Sequence, residues 1–375
     1  MGIINHIRRH YEVKMQQTEH AINNRTMHRD MLMKHHNNIK RQIIHIACQC
    51  CLASARDKVL QDFILSLNDN DKVIRLKTNS TDYLSPAQQD EQHKYRKVQV
   101  IKKNAQVQTN IDYKTRACSA SSTDLNTLNV LDLGCGKGGD ILKWHHERVL
   151  HYTGVDISES SIAHAKSRVK TTLDKTYNKR SRGYQSMRFT FNVQDIICYL
   201  EEIGTNIMYD VISLQFVIHY IVDDITQLSK LFALCKTHLT PGGVLLGTIV
   251  NSDRATELFK RTRSDYFGFI PIINQSKQSD ETGYAYEFFL RNCVDHCIEH
   301  LVPWTQLVTC ASGEGFAVDY RLSFDTFEEE ENELHEEQRI LSRCYDAFQL
   351  RHSETRVEKE GSDEIHNHSP VRLLQ

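Results

Sequence analysis

The sequence predicts an α/β fold, built on a mostly parallel sheet of the Rossmann-like type with helices on both faces. From residue 128 onward, short apolar runs alternate with amphipathic stretches, which is typical of parallel strands joined by helices. A glycine-rich turn, GCGKGG at 134–139, lies between the first apolar run and the start of a helix. The core domain is therefore predicted at 128–330.

The strands and helices of this core follow in order along the chain. Strands are predicted at 129–134, 151–157, 187–195, 209–216 and 243–250, and two further strand-like runs lie at 285–290 and 317–324. Helices are predicted between them at 139–147, 159–173, 195–202 and 223–238. The last helix is followed by LTPGG, whose proline and glycine are typical of a helix end.

Three segments flank or interrupt this core. Residues 1–65 carry apolar side chains at helical spacing and predict two or three helices. Residues 66–127 are polar and predict an insert or linker. Residues 331–375 predict an acidic tail, helical around 333–350 and disordered from about 353, and no apolar alternating run there indicates a further strand.

Composition narrows the class of protein. A chain of 375 residues with 40% hydrophobic content can form a large globular domain. No stretch near the start resembles a signal peptide and no run approaches a membrane span, so no membrane partner is expected. The net charge is only -2, but residues 1–60 carry ten Lys/Arg against four Asp/Glu, a balance suited to contact with phosphates.

Cysteine usage predicts a reducing compartment and no metal. The chain has 11 cysteines and no export signal, and in such proteins thiols mostly pack as small apolar groups. Cys48, Cys50 and Cys51 resemble part of a metal site, but no second Cys/His pair follows at zinc spacing. Packing within a helical core is therefore the preferred interpretation of these three thiols.

The glycine turn indicates a nucleotide-like cofactor. Gly134, Gly136 and Gly139 satisfy the dinucleotide-binding spacing G-x-G-x-x-G, so a dinucleotide enzyme is a competing interpretation. Asp132, two residues before the first glycine, would face a pyrophosphate unfavourably but suits a cationic ligand. S-adenosylmethionine carries an ammonium and a sulfonium and no phosphate, and Asp132 therefore favours it.

Two more acids follow the next two predicted strands. Asp156 lies where a carboxylate accepts hydrogen bonds from a ribose diol, and Asp195 lies where one can meet an adenine edge. Acids at three consecutive strand ends favour methyl transfer from S-adenosylmethionine. The alternative for each acid is a helix N-cap.

Several segments together resemble one family, the eukaryotic messenger RNA cap (guanine-N7) methyltransferases, which are class I S-adenosylmethionine-dependent enzymes. LDLGCGKGGDILKW at 131–144 carries the resemblance, and LQFVIHY at 214–220, LTPGGVLLGTIVNSD at 239–253 and YEFFL at 286–290 agree in order. HYEVKMQQ at 10–17, HNNIK at 36–40, GVDIS at 154–158 and FDTFEEEE at 324–331 extend it over most of the chain. The resemblance implies that the helical segment 1–65 contributes to the site and that a cap-binding insertion lies around 254–305.

The resemblance also implies two sets of site residues. Besides Asp132, the cofactor set is Lys40, Gly134, Gly136, Asp156, Asp195, Gln215 and Tyr220. The set that would hold the cap guanine and its triphosphate is Asn37, Lys137, Lys143, Arg168, His219, Tyr284 and Glu299. Mobile cations suit phosphates, and a buried glutamate can accept hydrogen bonds from guanine N1 and N2. The alternatives are solvated helix residues for Lys143 and Arg168, a core histidine for His219 and a surface acid for Glu299.

The implied reaction needs no general base, because guanine N7 carries a lone pair and no proton. His219 and Tyr220 are then expected to position ligands and to transfer no proton. The implied partner is 5'-capped RNA, with other capping enzymes or the transcription machinery as further candidates. The implied location is the nucleus, with the cytoplasm as the alternative.

One feature of the family is not evident in the sequence. Members end with an antiparallel strand that carries an aromatic residue close to the cap, and residues after 324 predict none. Two other function classes therefore stay open. One is a methyltransferase that acts on another substrate, and the other is a non-catalytic partner that binds the cap or RNA.

Overall fold

A computed structural model describes residues 27–52, 56–67, 128–147, 149–177, 187–259, 264–272, 285–291, 293–327 and 334–352. The predictions for residues 1–26, for nearly all of the 66–127 insert, for Tyr284 and for the tail from 353 lie outside these residues. Among the described residues, no helix is long and apolar enough to cross a membrane.

The described helices and strands alternate through most of the core. The helices are α1 (Met27–Leu52), α2 (Arg56–Ser66), α3 (Ile141–His146), α4 (Glu159–Tyr177), α5 (Ile196–Glu202), α6 (Ile218–Ile221), α7 (Ile225–Thr237), α8 (Ser252–Phe259), α9 (Trp304–Gly313) and α10 (Glu336–Ser342). The strands are β1 (Leu128–Leu133), β2 (Val149–Asp156), β3 (Arg188–Val193), β4 (Tyr209–Leu214), β5 (Leu239–Val250), β6 (Phe267–Pro271), β7 (Ala285–Leu290), β8 (Val294–His300), β9 (Phe316–Ser323) and β10 (Tyr345–His352).

The main sheet has the strand order β3-β2-β1-β4-β5-β10-β9. Strands β1 to β5 pair in parallel, and β10 is antiparallel to both β5 and β9. All seven predicted strands are present, with their ends shifted by a few residues. The predicted Rossmann-like α/β class with a mostly parallel sheet is confirmed.

The final antiparallel strand is present, and the prediction that it is missing was wrong. Strand β10 pairs Tyr345–Arg351 with β5 residues from Val250 back to Val244. Its polar side chains Asp346 and Gln349 are buried, which removes the apolar alternation by which a strand is recognised.

Those polar side chains are paired across the sheet. The Arg321 Nε donates to Asp346 Oδ2 at 2.7 Å, and the Gln349 amide donates to Asp319 Oδ2 at 2.9 Å. Each pairing offsets part of the cost of burying these polar side chains, although Asp346 Oδ1 and Gln349 Oε1 have no hydrogen-bond partner among the described residues. Strand β10, which ends at residue 352, therefore belongs to the core, and the predicted tail boundary at 331 was wrong.

A second, antiparallel sheet of order β6-β7-β8 lies between α8 and α9 in the chain. Its strand β7 coincides with the prediction at 285–290, whereas β6 and β8 were not predicted. Phe267, Phe269 and Phe288 from this sheet are buried in the same hydrophobic cluster as Trp144 of α3. The segment predicted as an insertion around 254–305 is thus joined to the main domain by a shared core.

Helix α1 packs against the main sheet through the predicted apolar positions. The side chains of Ile39, Ile43, Ile44 and Ala47 are at most 1% exposed. Burial of this kind stabilises a helix far more than its own backbone hydrogen bonds do.

The cysteines of α1 lie in the same core. Cys48 and Cys50 are buried, as the core-packing interpretation predicts, and burial raises the pKa of Cys50 to about 11. A thiol with a raised pKa is a poor nucleophile and a poor metal ligand. The described residues contain no group of three or more His, Cys, Asp or Glu placed to hold a metal ion.

His36 of α1 makes the stability of the fold sensitive to pH. Burial, with smaller contributions from His35 and Lys40, lowers the pKa of His36 to about 3. Below pH 6.5 the unfolded chain binds a proton here that the folded chain does not. We therefore expect this residue to reduce the free energy of unfolding by about 1.4 kcal/mol per pH unit between pH 6.5 and 3.

Urea unfolding of the wild type and of His36→Phe at several pH values tests this expectation. Phenylalanine keeps a ring against Phe216 and Tyr345, which lie 5.7 Å from the His36 ring. Other ionisable groups titrate in both proteins, so only the difference between the two slopes is informative. Equal slopes would contradict the assignment.

Candidate active site

The glycine turn after β1 adopts backbone angles that favour glycine. Gly134, Gly136 and Gly138 have φ values of 73°, 52° and 70°. The Gly134 and Cys135 amides donate to the Val155 carbonyl at 2.8 and 3.0 Å, which ties the turn to the end of β2. A Cβ on Gly134 would lie 2.5 Å from the Val217 Cγ2 atom, so the turn has no room for a side chain there.

Asp156 is the last residue of β2 and holds the turn in place. Its carboxylate accepts the Gly136 amide at 2.8 Å and the Ser158 amide at 2.9 Å. Burial raises the pKa of Asp156, and these two hydrogen bonds oppose that effect. The predicted ribose-binding acid and the glycine turn are therefore in direct contact.

Asp132 lies at the end of β1, just before the turn. Its side chain is buried, and the Tyr152 hydroxyl donates to its Oδ2 atom at 2.8 Å. Burial, followed by the nearby Asp140 carboxylate, raises the pKa of Asp132. A cationic ligand at this position would favour the ionised carboxylate, because it supplies the missing counter-charge.

Gln215 directly follows β4 and has unsatisfied polar atoms. The side chain is 7% exposed, and neither its amide nitrogen nor its amide oxygen has a hydrogen-bond partner among the described residues. Buried amides are normally paired, so this one indicates a ligand that supplies both a donor and an acceptor.

Asp195 caps α5. Its carboxylate accepts the Cys198 amide at 3.1 Å, so the helix-cap alternative is confirmed for this residue. It also lies just beyond β3, at the edge of the sheet where Asp132 and Asp156 lie, and its second oxygen remains a candidate adenine contact.

Asp140 links two lysines of the predicted sets. The Lys40 Nζ lies 2.8 Å from Asp140 Oδ2, and the Lys143 Nζ lies 2.6 Å from Asp140 Oδ1. Burial alone would raise the pKa of Asp140, but the two ammonium groups outweigh it and lower the pKa. The sequence analysis did not single out Asp140, although this residue directly follows the glycine turn.

Lys143 differs from the mobile cation that was expected. Its ammonium also bonds to the Asn37 side-chain oxygen at 2.9 Å and to the Gly139 carbonyl at 3.1 Å, and its side chain is only 6% exposed. The solvated-helix alternative is therefore wrong for Lys143. The structure brings Asn37, Lys40 and Lys143 together, as the two predicted residue sets imply.

Lys137 in the glycine turn and Arg168 of α4 are in contact. The exposed Arg168 guanidinium donates from Nε to the Lys137 carbonyl at 3.1 Å. This contact places a guanidinium, a group suited to phosphate oxygens, beside the turn.

His219 and Tyr220 of α6 form a cluster with Glu299 of β8 in the second sheet. The Tyr220 hydroxyl donates to Glu299 Oε1 at 2.7 Å, and His219 Nε2 lies 3.8 Å from the same oxygen. Glu299 is 2% exposed, so the surface-acid alternative is wrong. Burial lowers the pKa of His219, and the Glu299 carboxylate opposes this shift.

Two aromatic residues complete the surroundings, and the sequence analysis missed both. Tyr345, the first residue of β10, lies 5.0 Å from the Phe216 ring in an edge-to-face contact. Tyr286 of β7 donates to Glu299 Oε2 at 2.5 Å. The sequence does hold a signal for Tyr345. If Asp346 and Gln349 are assumed to be buried, the apolar residues around them predict a strand: Tyr345, Ala347, Phe348 and Leu350.

The sheet order with one antiparallel strand, the glycine turn and the acids at the strand ends define a class I S-adenosylmethionine-dependent methyltransferase. Residues 73–366, more than half of the chain, match the family model described as the mRNA (guanine-N(7))-methyltransferase domain. The chain belongs to this family.

Curated relatives carry the same family name. The mRNA cap guanine-N(7) methyltransferase of Cryptococcus neoformans var. neoformans serotype D (strain B-3501A) is 28% identical over 207 residues, 54% of this chain and 29% of that protein. The one of Schizosaccharomyces pombe is 28% identical and covers 54% and 57%, and mRNA cap guanine-N(7) methyltransferase 1 of Arabidopsis thaliana is 32% identical and covers 47% and 49%. The chain thus spans less than two thirds of the length of these relatives.

Among solved structures, an S-adenosylmethionine-dependent methyltransferase from Clostridium acetobutylicum ATCC 824 covers 60% of this chain and 84% of its own. The sequence identity is 14% and the TM-score is 0.41.

Proposed function

We propose that the chain transfers a methyl group from S-adenosylmethionine to N7 of the terminal guanine of a GpppN cap. The observation that carries this proposal is the contact between Tyr220, at the cofactor edge of the main sheet, and Glu299 of the second sheet. This contact joins the residues assigned to the cofactor to those assigned to the cap. A methyl donor and a guanine held by the two sets would be neighbours.

The described residues fit the cofactor. Gln215 offers an unpaired amide, Asp156 lies beside the glycine turn, and Asp132 is a buried acid that a cationic ligand would stabilise in its ionised form. The bound cofactor supplies an electrophilic methyl group on a sulfonium. The chain's residues bind and orient it at the ends of the parallel strands, where ligands of such sheets bind.

The other residues fit a capped guanosine. Glu299 is a buried carboxylate that can accept hydrogen bonds from guanine N1 and N2, and the exposed Arg168 with Lys137 suits the triphosphate. Lys143 acts from a buried position through its bonds to Asn37 and Asp140. Tyr345 supplies the aromatic residue expected on the final strand.

The reaction then proceeds by in-line displacement at the methyl group without a general base. The two ligands are held next to each other, and such proximity and orientation can contribute roughly 7 to 11 kcal/mol to lowering a barrier. Guanine N7 has no proton to give up, so His219, whose pKa is lowered by burial, positions the cap in its neutral form and accepts no proton during the reaction.

A pH series on His219→Asn tests this mechanism. Because the displacement needs no general base, the replacement is expected to leave the pH dependence of kcat unchanged between about pH 5 and 9, a range that extends below the ordinary histidine pKa of about 6.5. The KM for the cap analogue is expected to rise roughly fivefold, as for one lost hydrogen bond. Loss of a titrating limb from the wild-type profile would instead assign a proton-transfer role to His219.

One assay tests the cofactor, the substrate and the position of methylation together. The purified chain is incubated with methyl-labelled S-adenosylmethionine and GpppA, and the digested product is examined for labelled 7-methylguanine. ApppA, which lacks guanine, is the matched control. Label in 7-methylguanine supports the proposal, label in bulk RNA or protein favours another substrate, and cap binding without label favours a non-catalytic cap-binding protein.

The proposed partner is 5'-capped RNA, with other capping enzymes or the transcription machinery as candidate protein partners. The proposed location is the nucleus, because that is where nascent transcripts receive their caps. Microscopy of the full chain with a fluorescent tag tests the location, and an exclusively cytoplasmic signal would contradict it.

A further inference from the structure

Glu299 receives two tyrosine hydroxyls, one on each carboxylate oxygen. Tyr220 donates to Oε1 at 2.7 Å and Tyr286 donates to Oε2 at 2.5 Å. Tyr220 belongs to the predicted cofactor set, whereas Tyr286 belongs to neither of the two predicted sets of site residues. Hydrogen bonds to a charged acceptor are stronger than neutral ones and orient it more firmly.

Tyr286 is fixed by its surroundings. It lies directly opposite Glu299 in the register of β7 and β8, and its side chain is 0% exposed. Its ring packs against Phe269 at 5.4 Å and Phe259 at 6.1 Å, which restricts where the hydroxyl can point. Burial, followed by the Glu299 carboxylate, raises the pKa of Tyr286 well above its usual value, so the hydroxyl remains a donor.

The two hydroxyls leave Glu299 with the acceptor capacity that guanine needs. A carboxylate offers about four acceptor positions, two on each oxygen. Among the described residues, Tyr220 and Tyr286 occupy one position on each oxygen. One position then remains on each oxygen, and guanine presents two adjacent donors on one edge, the N1 hydrogen and the N2 amino group.

We propose that Tyr286 is a positioning residue that orients the Glu299 carboxylate so that both of its oxygens face the guanine edge. This inference rests on the proposed function. Tyr286 therefore acts on substrate specificity through Glu299: it sharpens the preference for guanine over a base that lacks the N2 amino group. A tyrosine that only fills the core would contribute to stability and leave this preference unchanged.

Tyr286→Phe tests the proposal, because it removes the hydroxyl and keeps the ring. Tyr320→Phe is the matched control, since the buried Tyr320 hydroxyl has no hydrogen-bond partner among the described residues. The measurements are kcat and KM for GpppA and for IpppA, in which inosine lacks the N2 amino group, and the Kd for S-adenosylhomocysteine. Glu299→Gln serves as the variant in which guanine recognition is lost outright.

We expect Tyr286→Phe to raise the KM for GpppA about tenfold and the KM for IpppA much less, with kcat and the Kd for S-adenosylhomocysteine unchanged. Tyr320→Phe is expected to behave as the wild type in all five measurements. An equal rise in KM for GpppA and IpppA, or no rise for either, would overturn the role of Tyr286 while leaving the proposed function intact. A wild type that neither binds nor methylates GpppA would overturn both.

Discussion

A chain that ends at Cys344 is expected to lose its cooperative fold, because it lacks β10. This strand lies between β5 and β9, so its removal breaks two strand pairings and detaches β9 from the main sheet. It also removes Phe348 and Leu350, both 0% exposed. Loss of one buried phenylalanine side chain alone costs about 3 to 5 kcal/mol, against a total stability of about 5 to 15 kcal/mol for a typical domain.

The matched control is a chain that ends at His352 and keeps every residue of β10. Near-ultraviolet circular dichroism and urea unfolding compare the two, since both report fixed side-chain packing and cooperativity. We expect a cooperative transition only for the longer chain. Two similar cooperative transitions would mean that β10 is not an integral part of the sheet.

Replacement of Asp140 by alanine is expected to have the second largest effect, on both stability and binding. The change leaves the ammonium groups of Lys40 and Lys143 close together without their shared counter-charge, and their side chains are only 15% and 6% exposed. Removing one partner of a buried ion pair typically costs about 3 to 5 kcal/mol. The free energy of unfolding is therefore expected to fall by about that amount.

Binding is expected to weaken at the same time, because Lys40 belongs to the cofactor set and Lys143 to the cap set. Calorimetry with S-adenosylhomocysteine and with GpppA measures the two affinities separately. Asp253→Ala, which removes an exposed acid from α8, is the control for the loss of one negative charge. The double variant Asp140→Ala/Lys143→Met is expected to be less destabilised than the sum of the single variants, and strict additivity would contradict the shared ion pair.

The parallel part of the fold was predictable because its signals are local. The strands β1 to β5 are short apolar runs bounded by helical stretches, and the glycine turn carries its own backbone requirement. The positions of Asp132 and Asp156 follow from the same pattern, because each acid comes at the end of a strand. These residues lie at one edge of the sheet, as the sequence predicts.

The antiparallel part was not predictable by the same reasoning. Asp346 in β10 is buried only because Arg321 in β9 and Asn251 after β5 pair with it, and these partners are 25 and 95 residues away in the sequence. A pattern of polar and apolar residues cannot show that a polar side chain has such a partner. The strand was therefore interpreted as part of an acidic helical tail.

Lys143 and Glu299 illustrate the same limit within the site. The sequence places each of them in a segment that resembles the family, but it does not decide whether the side chain is exposed. Lys143 is buried because its ammonium bonds to Asp140 and Asn37. Glu299 is buried because its carboxylate accepts hydrogen bonds from Tyr220 and Tyr286. Those contacts connect residues from α1, the glycine turn, α6 and the second sheet.

By itself, then, the sequence determined the parallel sheet, the glycine turn and the acids at the strand ends, because backbone preference and apolar periodicity act over a few residues. Only the tertiary structure decided that β10 completes the sheet, that Asp140 joins Lys40 to Lys143, and that two tyrosines hold Glu299. The physical reason is that a buried polar group is stable only with its partner, and these partners are brought together by the fold.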